Sequence, residues 1–226
     1  MADAPEQAAP PPPASERERI VGAFMALLAE QRIEEIGWGA IARRAGVSLA
    51  ELRHQFGSKI AILAAHTKEI DRTVLGAIDT ELAEEPPRER LFDVLMRRID
   101  ALTPHKAAVR SLLRSAGRNP GLALALNGFA VRSQQWMLTA ADIPASGPQG
   151  AVRAQGLALL WASVLRTWLH DDDPGLARTM SALDRALGRG ARLIGVFDEL
   201  CRLPTLACRL RPRRRRGDAG DETIAA

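Results

Sequence analysis

The chain has 226 residues, a formal net charge of +4, an aromatic content of 4% with no tyrosine, and two cysteines. A chain of that length holds one domain or two small ones, and its alanine-, leucine- and arginine-rich composition favours helices and excludes a substantial sheet. Two cysteines, Cys201 and Cys208, without metal-ligand spacing exclude a disulfide framework and suit two reduced thiols in a cytoplasmic protein.

The first fifteen residues, with acids and four consecutive prolines, read as an extended disordered leader rather than a signal or transit peptide. A first helix starts after Ser15, with Glu18 completing a capping box, and carries Ile20, Phe24, Leu27 and Leu28 on one face before closing ahead of Gly37. A short helix follows over 38–45, ended by Gly46 as the left-handed residue. Ser48 caps a third helix, 49–56, on which Leu49, Leu52 and Phe56 share a buried face. Ser58 caps a long helix from Lys59 to about Ala83, buried through Ile60, Leu63, Ile70, Val74 and Ile78. After a turn at 84–87, a fifth helix spans 88–102 on Leu91, Phe92, Leu95, Ile99 and Leu102. Thr103-Pro104 and Asn119-Pro120 each read as a cap followed by a first-turn proline, opening helices to about Ser115 and Ala141. A loop over 143–148 precedes a helix at 149–169 that is apolar almost all round, through Leu157, Leu160, Trp161, Val164, Leu165 and Trp168. Asp173-Pro174 starts the last long helix, with Leu176, Met180, Leu183, Leu187, Ile194 and Phe197. From Pro204 the chain reads as disordered. Arg209, Arg211, Arg213, Arg214, Arg215 and Arg216 carry +6 there, so the rest nets about −2 (+4 minus +6). Such a tail gives at most weak, unspecific attraction to nucleic acid or anionic lipid.

The most chemically informative stretch is Ala45 to Lys59, AGVSLAELRHQFGSK. A helix, a glycine turn and a second helix make a helix-turn-helix, with Ala50, Glu51, Arg53, His54 and Gln55 facing outward from the anchors. Between Gly37 and Lys68, five basic residues (Arg43, Arg44, Arg53, Lys59, Lys68) stand against one acid, Glu51, a local excess of +4 that suits phosphate contact. Ser58 and Lys59 at a helix start add backbone donors and a positive dipole end. The candidate DNA-binding residues are therefore Arg43, Arg44, Ser48, Ala50, Glu51, Arg53, His54, Gln55, Ser58 and Lys59.

Ile41-Ala42-Arg43-Arg44-Ala45-Gly46-Val47-Ser48, then Leu52, then Phe56-Gly57-Ser58-Lys59 give residues 16–65 a close resemblance to the DNA-binding domain of the TetR family of bacterial transcriptional regulators. The resemblance implies an all-helical fold of about nine helices: a helix-turn-helix unit at 16–65 and a helical ligand-binding and dimerisation domain at 66–203, ahead of the disordered tail at 204–226. It implies a homodimer on a two-fold symmetric operator in double-stranded DNA, acting as a repressor released by an effector. The chain departs from the family pattern at Gly37, where serine or threonine usually caps, at Arg53, where tyrosine usually meets a phosphate, and at Gln55. Arginine can take over a phosphate contact, and Glu51 can accept from a cytosine amino group. A fainter similarity links LMRRIDALTPHKAAVRSL and SVLRTWLHDDDPGLARTMSALDRAL to the ubiquinone-biosynthesis lipid-binding proteins, which share the fold without operator binding. It implies the alternative of a lipid-binding accessory protein.

The rest of the chain offers no phosphate-cradling glycine loop and no nucleophile elbow, so neither an enzyme nor a cofactor is expected. His170-Asp171-Asp172-Asp173 reads as an interhelical loop with Asp173 as cap rather than a metal site. Phe129, Trp136, Met137, Trp161 and Trp168 are candidates to line a pocket for an apolar or amphipathic small molecule. The dimer interface is expected at Leu160, Trp161, Val164, Leu165, Leu183 and Leu187, with Trp161 and Leu165 meeting the partner. No run is long enough for stable membrane insertion.

Overall fold

The computed structural model describes residues 15–77 and 84–202, with the backbone alone for 191–202. Nine α-helices occur among the described residues: α1 (Glu16–Glu30), α2 (Trp38–Ala45), α3 (Leu49–Gln55), α4 (Lys59–Gly76), α5 (Pro87–Leu102), α6 (Lys106–Ala116), α7 (Pro120–Ala140), α8 (Gly147–Trp168) and α9 (Ala177–Arg202). The all-helical class and the number of helices are those expected. The leader, the end of the long fourth helix with Ile78, the side chains of Ile194 and Phe197, and the arginine tail lie outside the described residues.

Local chemistry sets the helix starts. Ser15 and Glu18 form a reciprocal capping box at α1, and the Asn119 side chain accepts from the Leu122 amide at the start of α7, with Pro120 in the first turn. Two starts differ from the sequence reading. Thr103 does not cap a helix: its hydroxyl donates back to the Ile99 carbonyl (2.9 Å), and Thr103–His105 forms a 3-10 turn ahead of α6. Asp173 is a cap, but it folds the chain tightly first. Its carboxylate accepts from the amides of Gly175 and Ala177, Leu176 takes a left-handed φ of 52°, and α9 begins only at Ala177. Asp171 adds a buried cap, accepting from both the amide and the hydroxyl of Thr179 (2.8 and 2.7 Å).

The buried residues form two clusters. One joins α1 to α4 through Ile20, Phe24, Leu28, Ile41, Leu52, Phe56 and Ile62, and takes in Ala108 of α6 and Leu122 of α7. The other joins α4, α5, α7, α8 and the first part of α9 through Val74, Leu95, Ile99, Met137, Trp161, Trp168 and Leu183. Helix α4 contributes to both. Helix α6 lies on α1, where the Ser111 hydroxyl donates to the Gln31 carbonyl and the Ser115 hydroxyl to the Glu34 carboxylate (3.1 Å each). The turn that leads into α2 is thereby tied to the later helices. No helix of the described residues is long and apolar enough to cross a membrane.

Candidate nucleic-acid interface

The turn between α2 and α3 rests on Gly46, whose φ of 64° and ψ of 39° belong to the left-handed region that a side chain disfavours. Gly46 and Val47 donate back to the carbonyls of Arg43 and Ala42, closing α2. The Ser48 hydroxyl then accepts from the Glu51 amide (3.1 Å), while the Glu51 carboxylate accepts from the Ser48 amide (2.6 Å). This second bond, foremost, holds the Glu51 carboxyl below the usual carboxylate range. Glu51 is thus committed to starting α3, a role different from the cytosine contact the sequence suggested.

Leu52 and Phe56 are buried and anchor α3. Leu49 is not an anchor: it is 59% exposed. At about 100° per residue, a helix buried along Leu52 presents Ala50 and His54 on the opposite side with Arg53 and Glu51 on the flanks, and Leu49, about 60° round from Leu52, is open at the first position of the helix. All five are exposed, whereas Gln55 is half-buried.

The cations divide into two groups. Arg44 pairs with Glu30, and the Lys59 ammonium donates to the Ile33 carbonyl (3.0 Å) in a half-buried position. Both brace the turn between α1 and α2 instead of standing free for phosphate. Ser58 spends its hydroxyl on the Ala61 amide as the α4 cap. Arg43 and His54 have no polar partner among the described residues, and Arg53 only approaches the Gly57 carbonyl at 3.5 Å. Helix α1 adds two cations that a local reading of the motif passes over. Arg17 stacks on the Phe56 ring (4.4 Å) and reaches the Gln55 carbonyl at the end of α3, and Arg19 lies 3.5 Å from the Gly46 carbonyl. Their sequence signal is only their place on the polar face of α1.

The candidate pocket residues are not brought together around a cavity. Phe129 packs half-buried against the first cluster, Met137, Trp161 and Trp168 fill the second, and Trp136 turns to solvent, 55% exposed. A cleft of about 340 Å³ lies between α1 and α4, with Val21, Met25 and Ile70 as its floor and Glu18, Glu69, His66 and His105 at its walls. Another, about 240 Å³, lies between the ends of α1 and α6. Neither touches the five candidates.

What the second cluster does hold is polar. Arg98 and Asp71, both buried, pair at 2.5 Å, and the Ser133 hydroxyl donates to the same Asp71 oxygen (2.5 Å). Arg98 also lies over Trp161, 5.6 Å from the ring centroid. Its Nε and both amide atoms of the fully buried Gln134 have no hydrogen-bond partner among the described residues. His66 meets His105 edge-on at 4.6 Å, and burial, reinforced by His105 and Arg98, pushes its pKa down to about 4.

The expected dimer residues point elsewhere than expected. Trp161 is 4% exposed, and Val164, Leu183 and Leu187 are likewise buried in the chain's own core, so only Leu160 and Leu165 retain partial exposure. The open side of α8 carries Val152, Gly156, Leu159 and Ser163, with Leu159 63% exposed.

Neither the protein-family models nor the curated proteins searched give a match. Solved structures do. A TetR transcriptional regulator from Nitrosomonas europaea is similar over 79% of this chain and 99% of its own, with a TM-score of 0.63 and 23% identity. One from a Rhodococcus species is similar over 77% and 95%, with a TM-score of 0.57 and 24% identity. A TetR-family regulator from Streptomyces coelicolor is similar over 82% and 84%, at 0.54 and 17%. The similarity spans both clusters and nearly the whole of the first two neighbours: the chain has the fold of the TetR-family transcriptional regulators.

Proposed function

We propose that the protein is a cytoplasmic DNA-binding transcriptional regulator, a repressor that binds a two-fold symmetric operator as a homodimer and is released by an apolar or amphipathic small molecule. The observation that carries this reading is the outward side of α3. A short helix anchored by Leu52 and Phe56 presents Leu49, Ala50, Arg53 and His54 together, flanked by Arg43, Arg17 and Arg19. Such a helix fits the major groove, with cations placed for the phosphates on either side. Residues 16–65 are assigned to DNA, and 66–203 to effector binding and dimerisation.

The regulatory half of the reading draws on two features. The bonds from Ser111 and Ser115 to the turn before α2 give movements of α6 a mechanical route to the helix-turn-helix. The unpartnered Gln134 amide, set among apolar side chains, is the kind of group an amphipathic effector would satisfy. For the dimer, we assign the open side of α8, where Val152 and Leu159 expose apolar surface and Gly156 and Ser163 permit close approach. Sedimentation should give a dimer at micromolar concentration, and Leu159→Arg should give a folded monomer. A wild-type monomer, or a dimer untouched by that change, would reject the interface.

The test of the function is enrichment of genomic fragments by the purified full chain. A regulator enriches a two-fold symmetric sequence with half-sites about 34–36 Å apart. Uniform recovery of all fragments would contradict it.

A further inference from the structure

The recognition surface is half apolar, and its chemistry specifies a base. Leu49 occupies the first position of α3, directly after the cap at Ser48, and exposes more than half of its surface with the Ala50 methyl beside it. Single exposed leucines are common and mean little alone. This one opens the helix and stands one helical turn before Arg53, an i,i+4 neighbour about 40° away round the axis, with both side chains exposed. Glu51, whose carboxylate could accept from a cytosine amino group, accepts from the Ser48 amide and lies on the flank of the helix. Leu49 and Ala50, the first two residues of the helix, offer neither donor nor acceptor in their side chains.

In the major groove, one feature is recognised by apolar contact: the C5-methyl group of thymine. Resting on the DNA-binding reading above, we propose that Leu49 is a specificity-determining residue that packs against a thymine methyl in each half-site. Four residues of helix span about 6 Å, and base pairs follow at about 3.4 Å. The thymine accordingly lies about two base steps from the pair that Arg53 meets, where an arginine donates to the O6 and N7 of guanine.

The test uses the full chain and a duplex it selects from a random pool. Each thymine of the selected site is replaced in turn by deoxyuridine, which keeps the pairing and the acceptor oxygen and lacks only the methyl. Burying one such group changes affinity by about fourfold. We expect one thymine per half-site to show this loss with wild-type protein, and about fifteenfold for both half-sites together, the sites being far enough apart to add. With Leu49→Ala, the thymine and deoxyuridine duplexes should bind equally. Arg53→Ala should lower affinity for both while keeping the fourfold ratio. Since Leu49 is exposed, its variant is expected to melt as wild type does, and Leu49→Met serves as a second variant that should keep the discrimination. A selected site with no methyl effect, or one that survives Leu49→Ala, overturns the assignment of Leu49 and leaves DNA binding standing. Selection of no sequence at all overturns both.

Discussion

Removing Asp71 should unfold the second cluster far more easily than its size suggests. In Asp71→Ala, the Arg98 guanidinium keeps its charge in a position with 6% of its side-chain surface exposed, without the carboxylate 2.5 Å away, and Ser133 loses its acceptor. Breaking a buried pair from one side costs about 3–5 kcal/mol, because the remaining ion stays desolvated and uncompensated. For a chain of this size, each kcal/mol moves the midpoint by about 2–4 °C, so the thermal midpoint should fall by roughly 6–20 °C. The double variant Asp71→Leu with Arg98→Met replaces the pair by apolar groups of similar volume and should recover most of the loss. Urea and thermal unfolding of wild type, both single variants and the double variant give the coupling directly, expected at about 2 kcal/mol or more. Single changes that cost less than about 1 kcal/mol, or costs that simply add, would refute the claim that these two charges hold each other in the core.

Three further outcomes concern His66, two glycines and the cations of the helix-turn-helix. His66 has a folded pKa depressed to about 4 from 6.5, so the unfolded chain takes up its proton first as pH falls. Its contribution is complete above pH 6.5 and lost between 6.5 and 4, up to about 3 kcal/mol, and His66→Leu should flatten the urea midpoint between pH 7 and 5 relative to wild type. A Cβ at Gly150 would stand 2.1 Å from the Ala145 carbonyl carbon, so Gly150→Ala should cost about 1–3 kcal/mol. Gly128→Ala, with nothing within 4 Å, should stabilise α7 by about 0.5–1 kcal/mol, and differential scanning calorimetry of the two reads the contrast. Arg43→Ala should flatten the salt dependence of duplex binding by about two units, because a homodimer then neutralises two phosphates fewer in each bound complex. Lys59→Ala should leave that slope unchanged and lower stability by about 1 kcal/mol through removal of the hydrogen bond to Ile33, measured by filter binding and urea titration.

Much of the fold is legible in the sequence because its signals are local. Ser15, Ser48, Ser58 and Asn119 each cap the helix expected of them, and the long helices show their buried sides at regular spacing. The misplacements have physical causes. Spacing groups Leu49 with Leu52, about 60° apart round α3, yet Leu49 begins the seven-residue helix, where no other element covers it, and is exposed. Helix α8, apolar nearly all round, leaves its inward side undetermined by sequence, and Trp161 faces the core, where Arg98 of α5 lies over its ring. Lys59 looks like a phosphate clamp from its neighbours, yet its partner Ile33 is 26 residues away. Asp71 and Arg98 each interrupt an apolar stripe with a charge, and opposite charges so placed on two helices are a readable sign of a buried pair.

The central claim is that the outward side of α3 reads a DNA sequence, and the most direct test is a specificity ratio. The affinity of the full chain for its selected duplex should exceed that for a scrambled duplex by about 10³-fold or more at physiological salt. The scrambled duplex absorbs whatever unspecific attraction the arginine-rich tail contributes. Replacing Leu49, Arg53 and His54 together by alanine should bring the ratio close to one while the thermal midpoint stays within a few degrees of wild type. A ratio near one for the wild-type protein, or a high ratio that survives the triple replacement, would contradict the account.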